Sequence, residues 1–320
     1  MCSVKPLDGH HRRTGDDEED GPVLDVIIVG GGPAGLSAAL ILGRARRRVI
    51  LFDSGEPRNA ASHSLHGFIT CDGIDPAELR RIARAELVRY DTVEVRTGRV
   101  VDAERRDRWF EVALDDGSRV QSRALLLATG VLDRLPAVPG IEEFYGHGVH
   151  HCPYCDGWEA KDAPLAVYGR GKRGLGLALE LTQWSRDLTL CTDGPSRLSN
   201  DSRRRLARNG IAIRTARIVR LDGRNRRLER VWFASGESLE CRTLYFNVGQ
   251  VQHADLVARL GCTLSTRGLV RPGKKQTTNV PGLYVAGDIA HDVQLAIVAA
   301  GEGARAASAI NTALLREDLC

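Results

Sequence analysis

A glycine-rich turn between two apolar runs constrains this chain of 320 residues more than any other feature. Residues 25–29 form a largely β-branched run that is typical of a strand buried on both faces. The motif Gly30-x-Gly32-x-x-Gly35 follows, then an alanine- and leucine-rich stretch, then a second apolar run at residues 49–52. This order of strand, glycine turn, helix and strand predicts a βαβ unit with parallel strands.

The spacing of the three glycines predicts a dinucleotide site at the start of the helix. The first two glycines permit a tight turn that brings backbone N–H groups close to a pyrophosphate, and the third lets the helix pack closely on the strand. Asp53, 23 residues after Gly30, stands where such sites place an acid that binds a ribose diol. A glycine turn in an unrelated α/β protein is the alternative. The predicted contacts are Gly30, Gly32, Pro33, Ala34, Gly35 and Asp53.

A second unit of the same kind lies further along the chain. The mostly apolar residues 164–168 lead into Gly169-x-Gly171-x-x-Gly174, a helical stretch follows, and residues 188–191 complete the pattern. Two such units predict an α/β protein of about two domains, which agrees with the length of the chain. The three glycines of this second motif are candidate contacts for a second nucleotide.

The segment Cys152-Pro153-Tyr154-Cys155-Asp156-Gly157 lies just before this second unit. Two cysteines separated by two residues can close a small disulfide ring, and a helix that begins inside such a motif lowers the thiol pKa to ~3.5–7.5. Half of a zinc site or an inert structural pair are the alternatives. A Cys₄ zinc site would need a second close pair. The other cysteines are scattered singly: Cys2, Cys71, Cys191, Cys241, Cys262 and Cys320.

Composition narrows the function classes. The net charge of +4, from 45 basic and 41 acidic residues, is too small to indicate a nucleic-acid partner. No apolar run approaches the ~20 residues that span a bilayer, and the N-terminus has no apolar region typical of a secretory signal. Residues 1–23 are polar and are predicted to be a flexible tail. Eight cysteines in this length favour a cytoplasmic, thiol-rich protein.

Local signals predict further elements. Asp75 is a candidate N-cap for a helix that begins at Pro76. Residues 115–117 predict a hairpin turn, and residues 222–223 predict another. The segment 54–68 is rich in glycine, proline, asparagine and histidine, which predicts a loop folded over a cofactor.

Two strand ends complete the pattern. Residues 123–127 predict a buried strand that runs into Ala128-Thr129-Gly130, and residues 283–286 predict one that ends at Gly287-Asp288. An aspartate at such an end can hydrogen-bond a polyol. A small-residue helix over about 294–315 would offer the N–H groups of its first turn to an electron-rich ring oxygen.

These elements in this order resemble the low-molecular-weight thioredoxin reductase family of flavoproteins, over residues 25 to about 315. The resemblance rests on both glycine motifs, the Ala128-Thr129-Gly130 turn, the two-cysteine motif and Val285-Ala286-Gly287-Asp288. It implies an α/β fold with two Rossmann-like, three-layer ββα domains, the second inserted into the first. An FAD-binding domain would comprise residues 24–132 and 249–320, and a pyridine-nucleotide-type domain with the redox cysteines would comprise residues 133–248.

The resemblance also implies roles. Cys155 would lie beside the flavin as the charge-transfer thiol, Cys152 would exchange with substrate, and Asp156 would act as acid and base. Gly169, Gly171 and Gly174 would bind a pyridine nucleotide. The protein would be a homodimer. The implied FAD contacts beyond the first motif are Asn59, His66, Ala128, Thr129, Gly130, Gly287, Asp288, Leu295 and Ala296.

Several positions depart from the reductase pattern. The Pro153-Tyr154 spacer and the elements at residues 57–59, 66–68 and 157–159 look like the dithiol-oxidase branch, which includes enzymes that close the disulfides of gliotoxin and holomycin. Reductases bind the NADPH 2′-phosphate with a His-Arg-Arg run, whereas this chain has Cys191-Thr192-Asp193-Gly194. Asp193 would repel a 2′-phosphate but could accept a ribose diol of NADH, so NADPH is disfavoured.

The preferred hypothesis is an FAD-dependent oxidase that converts a small-molecule dithiol of natural-product biosynthesis to a disulfide, with O₂ as acceptor and H₂O₂ as product. The alternative is an NAD(P)H-dependent reductase of a thioredoxin-like disulfide protein. A third hypothesis is a non-enzymatic flavin- or nucleotide-binding regulator whose cysteine pair is a sensor. His150 and His151 could assist proton transfer, His291 could act as a base, and Cys320 has no predicted partner. No metal is expected.

Overall fold

The structure is a computed structural model that describes residues 23–252, 255–266, 268–290 and 293–320. The predicted tail therefore lies almost entirely outside the described residues, as does His291. The strands are β1 Leu24–Val29, β2 Val49–Asp53, β3 Val93–Thr97, β4 Val100–Arg106, β5 Trp109–Leu114, β6 Arg119–Leu127, β7 Val131–Asp133, β8 Val149–His150, β9 Leu165–Tyr168, β10 Leu188–Cys191, β11 Ala212–Arg214, β12 Ile218–Arg224, β13 Arg227–Phe233, β14 Ser238–Glu240, β15 Thr243–Phe246, β16 Gln250–Gln252 and β17 Leu283–Val285. The helices are α1 Pro33–Arg44, α2 Pro76–Leu87, α3 Ile141–Phe144, α4 Pro153–Asp156, α5 Gly171–Glu180, α6 Asn200–Arg208, α7 Leu256–Arg259 and α8 Ala296–Leu319.

The first sheet has the order β3-β2-β1-β6-β5-β4, with β17 also paired to β6. Strands β3, β2, β1, β6 and β17 run parallel, and β4 and β5 add an antiparallel edge. Ile27 and Ile28 point to opposite faces of β1, and both side chains are fully buried. This two-sided burial explains why the first apolar run is continuous rather than alternating.

Helices α1 and α8 cover one face of the first sheet. Their small residues allow a close approach: a Cβ added at Gly303 of α8 would lie 2.0 Å from the carbonyl oxygen of Ala34 in α1. Ala38, Ala306 and Ala307 are fully buried in the same cluster. The close packing of the two helices therefore requires their small residues. The N-termini of both helices lie at the same edge of the sheet.

The second sheet is entirely parallel, in the order β11-β10-β9-β15-β8. Helix α5 connects β9 to β10, as the second glycine motif predicts. Strands β12, β13 and β14 form a separate antiparallel sheet. All of these strands lie in the chain between β6 and β17 of the first sheet, so the second Rossmann-like unit is inserted into the first. The α/β prediction with an inserted second unit is confirmed.

Two local predictions are confirmed and one is wrong. The side chain of Asp75 accepts hydrogen bonds from the first turn of α2, and residues 115–117 connect β5 to β6. The predicted turn at residues 222–223 instead lies inside β12, where the register with β13 shifts. The turn is at Asn225-Arg226, both with positive φ. The Asp-Gly pair lies opposite Glu229, the extra residue of a bulge in β13, and does not reverse the chain. Among the helices of the described residues, none is long and apolar enough to cross a membrane.

Candidate active site

A cavity of about 450 Å³ opens at the carboxyl ends of β1, β2 and β6. This is the edge of a parallel sheet at which α/β proteins bind their ligands. The inserted unit closes the cavity with residues 145–146, 149–151 and 155–156. The predicted FAD contacts that line it are Gly30, Gly32, Pro33, Ala34, Asp53, Asn59, His66, Ala128, Thr129, Gly130, Gly287, Asp288, Leu295 and Ala296. Gly35 is buried in the first turn of α1 and is not one of the lining residues.

The first glycine motif combines close contacts with one open position. Gly30 has φ +115°, and a Cβ there would lie 2.3 Å from the carbonyl oxygen of Ala128. A Cβ at Gly35 would lie 1.9 Å from the carbonyl oxygen of Gly30. A Cβ at Gly32 would have no described atom within 4 Å, so this position opens into the cavity. The motif thus leaves room for a ligand at its middle glycine, at the start of α1.

The cavity residues fit an FAD-type dinucleotide in two further respects. The hydroxyl of Thr129 is buried and has no hydrogen-bond partner among the described residues, and Thr129 lines the cavity. Helix α8 begins at Ala296 after Leu295, which has no capping side chain, so the N–H groups of its first turn can donate to a ligand oxygen. These polar groups would be satisfied by a flavin dinucleotide.

The predicted ribose acid has partners that the sequence did not suggest. Asp53 forms an ion pair with Arg84 of α2 and accepts a hydrogen bond from the backbone N–H of Gly55 at 3.0 Å. Arg80, one turn before Arg84, donates to Asn59 at 3.1 Å. Helix α2 therefore supplies two cations, one to Asp53 and one to Asn59. In the sequence they are two of several arginines in an amphipathic helix, and no local signal distinguishes them.

The two motif cysteines form a disulfide. Cys152 caps the short helix α4, and its sulfur accepts a hydrogen bond from the N–H of Cys155 at 3.2 Å. Cys155 lines the cavity, whereas Cys152 is not one of its lining residues. The side chains of Tyr154 and Trp158 flank the motif and are 67% and 68% exposed. Cys155 thus belongs to the cavity wall, and Cys152 does not.

A histidine–carboxylate pair lies beside the disulfide. The Nδ1 of His150 lies 3.2 Å from the Oδ1 of Asp156, and both residues line the cavity. The ring of His150 packs against Tyr245 with centroids 5.9 Å apart. The hydroxyl of Tyr245 is buried without a described hydrogen-bond partner. The pair can therefore hold or pass a proton next to Cys155.

A second charged cluster centres on Arg58. Its guanidinium donates to both oxygens of Asp133, at 2.8 and 2.7 Å, and to Asp288 at 2.7 Å. Burial opposes ionisation of Asp133, but hydrogen bonds from Arg58 and Tyr145 outweigh it and lower the pKa of this carboxyl. Asp288, the predicted polyol ligand, is therefore held by an arginine at the edge of the cavity.

Other predicted contacts have mixed surroundings. His66 lies 3.5 Å from Glu159 and 3.6 Å from Asp72. It therefore connects the segment 54–68 to the residues that follow the redox motif. The N–H of Gly287 donates to buried Glu302 of α8 at 2.7 Å.

The second glycine motif lies outside the large cavity. Gly169 and Gly174 are in close contact, since a Cβ at Gly169 would lie 2.8 Å from the Cα of Gly174. Asp193, the candidate ribose acid at the end of β10, is fully engaged: it accepts from the N–H of Ile218 at 2.8 Å and from the hydroxyl of Tyr168 at 3.2 Å. The guanidinium of Arg170 also lies against it, at 3.4 Å.

Comparison with known proteins decides the family. The model of the pyridine nucleotide-disulphide oxidoreductase family matches residues 24–303. The chain belongs to this family. It is therefore an oxidoreductase, and membership in the thioredoxin reductase-like part of the family implies flavin binding.

This oxidoreductase has similar relatives among fungal and bacterial proteins. It is 31% identical to the probable thioredoxin reductase of Arthroderma benhamiae over 84% of this chain and 74% of the relative. It is also 31% identical to thioredoxin reductase aclD of Aspergillus oryzae, over 89% and 95% of the two chains. The solved structure of HlmI is 36% identical, with a TM-score of 0.89 over 96% of each chain. That of putative thioredoxin reductase TrxB from Bacillus anthracis is 34% identical, with a TM-score of 0.88 over 92% of this chain and 99% of that one.

Proposed function

We propose that this oxidoreductase is an FAD-dependent dithiol oxidase, which converts a small-molecule dithiol to a disulfide and passes two electrons to O₂ to form H₂O₂. The proposed direction of electron flow is supported by the position and contacts of the Asp193 carboxylate. Its carboxylate is committed to Ile218, Tyr168 and Arg170 at the place where the reductase resemblance puts the nucleotide 2′-phosphate. A carboxylate there opposes NADPH by charge. We therefore expect electrons to enter from a thiol rather than from NADPH.

The two cysteines would divide the reaction between them. One substrate thiolate attacks the sulfur of Cys152, which breaks the bond to Cys155 and forms a mixed disulfide. The second substrate thiol attacks the substrate sulfur of that mixed disulfide and releases the oxidised product. Cys155, on the cavity wall, then gives up an electron pair as the Cys152–Cys155 bond re-forms. FAD, when bound, supplies the two-electron acceptor that O₂ re-oxidises.

Side chains of the protein would move the protons of the reaction. Two thiol protons leave for each substrate oxidised. Asp156, with His150 at 3.2 Å, can take a proton released near Cys155 and return it to the acceptor side of the cavity. The balance is one dithiol and one O₂ to one disulfide and one H₂O₂. First-motif glycines, Thr129 and the first turn of α8 would hold the FAD.

Oxygen dependence tests the proposal directly. Purified protein would be mixed with a panel of small dithiols, and oxygen uptake, H₂O₂ and loss of free thiols would be followed with and without air. The expected result is matched consumption of thiol and oxygen, which stops under anaerobic conditions after about two dithiols per active site, because the disulfide and the FAD each accept one electron pair. Turnover that is equally fast without oxygen or another acceptor would exclude the oxidase.

A disulfide reductase that uses NAD(P)H is the second candidate. It is favoured by the intact turn of the second glycine motif, where Gly169 and Gly174 keep the close contact that such units need. Its substrate would be the disulfide of a thioredoxin-like protein. Anaerobic stopped-flow mixing with NADH and NADPH separates the candidates, because fast bleaching of the flavin by either nucleotide favours the reductase.

Three further features belong to the proposal. The domain limits are residues 24–132 with 249–320 for the FAD-binding part and 133–248 for the inserted part, which limited proteolysis can test. We propose a homodimer, to be tested by sedimentation equilibrium, and a cytoplasmic location, to be tested by fractionation of the source cells.

A further inference from the structure

The connection between the two Rossmann-like units is a short ribbon. Within the described residues the chain leaves the first sheet through β7 and returns through β16, and these strands pair antiparallel, with Asp133 opposite Gln250. Each strand has three residues. A two-stranded ribbon of this length has little stability of its own and cannot by itself fix the orientation of the units that it joins. Side chains around the ribbon must supply that orientation.

Arg58 contacts residues of both units beside this ribbon. Its bidentate bond to Asp133 reaches β7, and its bond to Asp288 reaches the end of β17 in the flavin unit. Its Nη2 lies 2.9 Å from Nε2 of His151, the residue next to Cys152. Gln294, just before α8, accepts a further bond from Arg58 at 3.0 Å. One guanidinium thus links the ribbon, the flavin unit and the redox motif.

The cluster is closed and saturated at Asp133. Besides Arg58, the Asp133 carboxylate accepts from the hydroxyl of Tyr145 at 2.9 Å and from the side-chain amide of Gln250 at 3.1 Å. Gln250 in turn exchanges two hydrogen bonds with Gln294, at 2.6 and 2.9 Å. The Asp133 side chain is 3% exposed and that of Arg58 is 15% exposed. Because a guanidinium only donates, Nε2 of His151 is the acceptor in this contact.

Energetics favour a geometric role over a stabilising one. Removing an ion pair from water costs about as much as the pair regains, so a buried pair adds little net stability. What such a network does best is to specify one arrangement among several, since any other placement of the units would leave buried charges without partners.

We propose that Arg58 and Asp133 are positioning residues that hold the redox-motif unit on the flavin unit, so that Cys155 stays on the cavity wall. This proposal rests on the electron transfer between thiol and flavin that the proposed function includes. It does not depend on the direction of that transfer. Loss of the clamp would displace Cys155 from the cavity and leave Cys152 open to thiols. Electron transfer to flavin would then slow, and thiol exchange at Cys152 would not.

The test uses three variants of the FAD-loaded protein: Arg58→Lys, Asp133→Asn and Tyr145→Phe. Arg58→Lys keeps the charge but not the fork, and Tyr145→Phe removes one hydroxyl and keeps the ring. Anaerobic stopped-flow mixing with dithiothreitol would separate thiol exchange from flavin reduction. Hydrogen exchange of the β7 and β16 amides would be followed in the same variants, with and without FAD. The surface variant Arg96→Lys, in an exposed pair with Glu94, is the matched control.

The expected result is flavin reduction slowed about 10- to 100-fold in Arg58→Lys and Asp133→Asn, and less in Tyr145→Phe, with thiol exchange within about twofold of the control. The β7 and β16 amides should exchange faster while those of β1 and β9 do not. Unchanged flavin reduction, or slower reduction with unchanged exchange of the ribbon, would overturn the proposal. Equal loss of thiol exchange and flavin reduction would also overturn it. Because no oxygen takes part, these outcomes are independent of whether the enzyme is an oxidase.

Discussion

The imidazole of His150 and the carboxylate of Asp156 form a pair on the wall of the same cavity that Cys155 lines, with 3.2 Å between Nδ1 and Oδ1. Asp156 belongs to the redox motif itself, whereas His150 is the last residue of β8. Strand β8 pairs with β15, and this pairing places Tyr245 under the imidazole. The orientation of the proton-handling pair is therefore fixed by the second sheet rather than by the motif.

This pairing predicts coupled effects of substitution. Asp156→Asn should slow dithiol turnover by about 10²- to 10⁴-fold, because the acid–base group is lost. His150→Gln should slow it less, because the carboxylate of Asp156 remains. The double variant should be no slower than Asp156→Asn alone, because the two residues act as one unit. Steady-state rates across pH 5 to 9 provide the measurement. Additive losses would mean that His150 acts independently of Asp156.

The two sulfurs should behave differently toward the cofactor. Cys152→Ser and Cys155→Ser should each lower turnover by about 10³-fold or more, since both sulfurs are needed for exchange. Only Cys152→Ser leaves a thiol on the cavity wall. Ionisation of that thiol on raising the pH should change the flavin absorption spectrum in Cys152→Ser, and the same titration of Cys155→Ser should leave it unchanged. Equal spectra in the two variants would contradict the placement of the sulfurs.

Packing between α1 and α8 gives a stability prediction with an internal control. Gly303→Ala should lower the free energy of unfolding by about 1–3 kcal/mol and weaken FAD binding, because the new Cβ would lie 2.0 Å from the carbonyl oxygen of Ala34. Gly301→Ala, on the exposed face of the same helix with no described atom within 4 Å, should raise it by about 0.5–1 kcal/mol. Urea unfolding measures both. A loss of stability in both variants would show that the contact with Ala34 is not the reason for the loss in Gly303→Ala.

The engagement of Asp193 predicts a structural role for that side chain. Asp193→Ala would leave the N–H of Ile218 and the hydroxyl of Tyr168 without their acceptor, so it should destabilise the protein by about 1–3 kcal/mol. The exposed Asp201, which faces only Arg204 at 3.6 Å among described partners, is the control, and Asp201→Ala should change stability by less than about 1 kcal/mol. Thermal unfolding of both variants decides the matter. A harmless Asp193→Ala would show that the carboxylate is available to a nucleotide.

The Arg58 cluster predicts a pH dependence of stability. Burial, joined by the charge of Arg58, lowers the pKa of His151 from its ordinary 6.5, in spite of Asp133. Between pH 6.5 and the lower folded pKa, the unfolded chain therefore binds more protons than the folded chain, so stability is lost as the pH falls through this window. The slope from this residue is at most about 1.4 kcal/mol per pH unit. The lowered pKa of Asp133 has the same sign at more acidic pH.

Urea midpoints between pH 7.5 and 5 would measure this slope, with His151→Gln as the reference. Gln keeps an acceptor for Arg58 and has no titrating group. We expect a flatter profile in His151→Gln than in the wild type over the window below pH 6.5. Parallel profiles would show that other groups, and not His151, produce the acid sensitivity.

The amino-acid sequence by itself determined the two βαβ units and the redox motif, whereas the insertion of one unit in the other was implied by the family resemblance. These features are local: a tight turn that excludes a Cβ, a buried parallel strand and a two-residue cysteine spacing each leave a pattern within about 30 residues. The N-cap at Asp75 is equally local. The turn misplaced at residues 222–223 shows the limit of such signals, because an Asp-Gly pair can also lie inside a strand, here opposite a bulge in β13.

Only the tertiary structure decided how the charges of the site are shared. Arg58 is separated from Asp133 by 75 residues and from Asp288 by 230. Asp53 meets an arginine of α2, and Asp193 meets the first residue of β12. From its local motif alone, each of these acidic side chains would be interpreted as a free ligand-binding group. Whether it is free depends on which distant donor the fold brings within 3 Å, and that depends on the packing of whole elements rather than on neighbours in the chain.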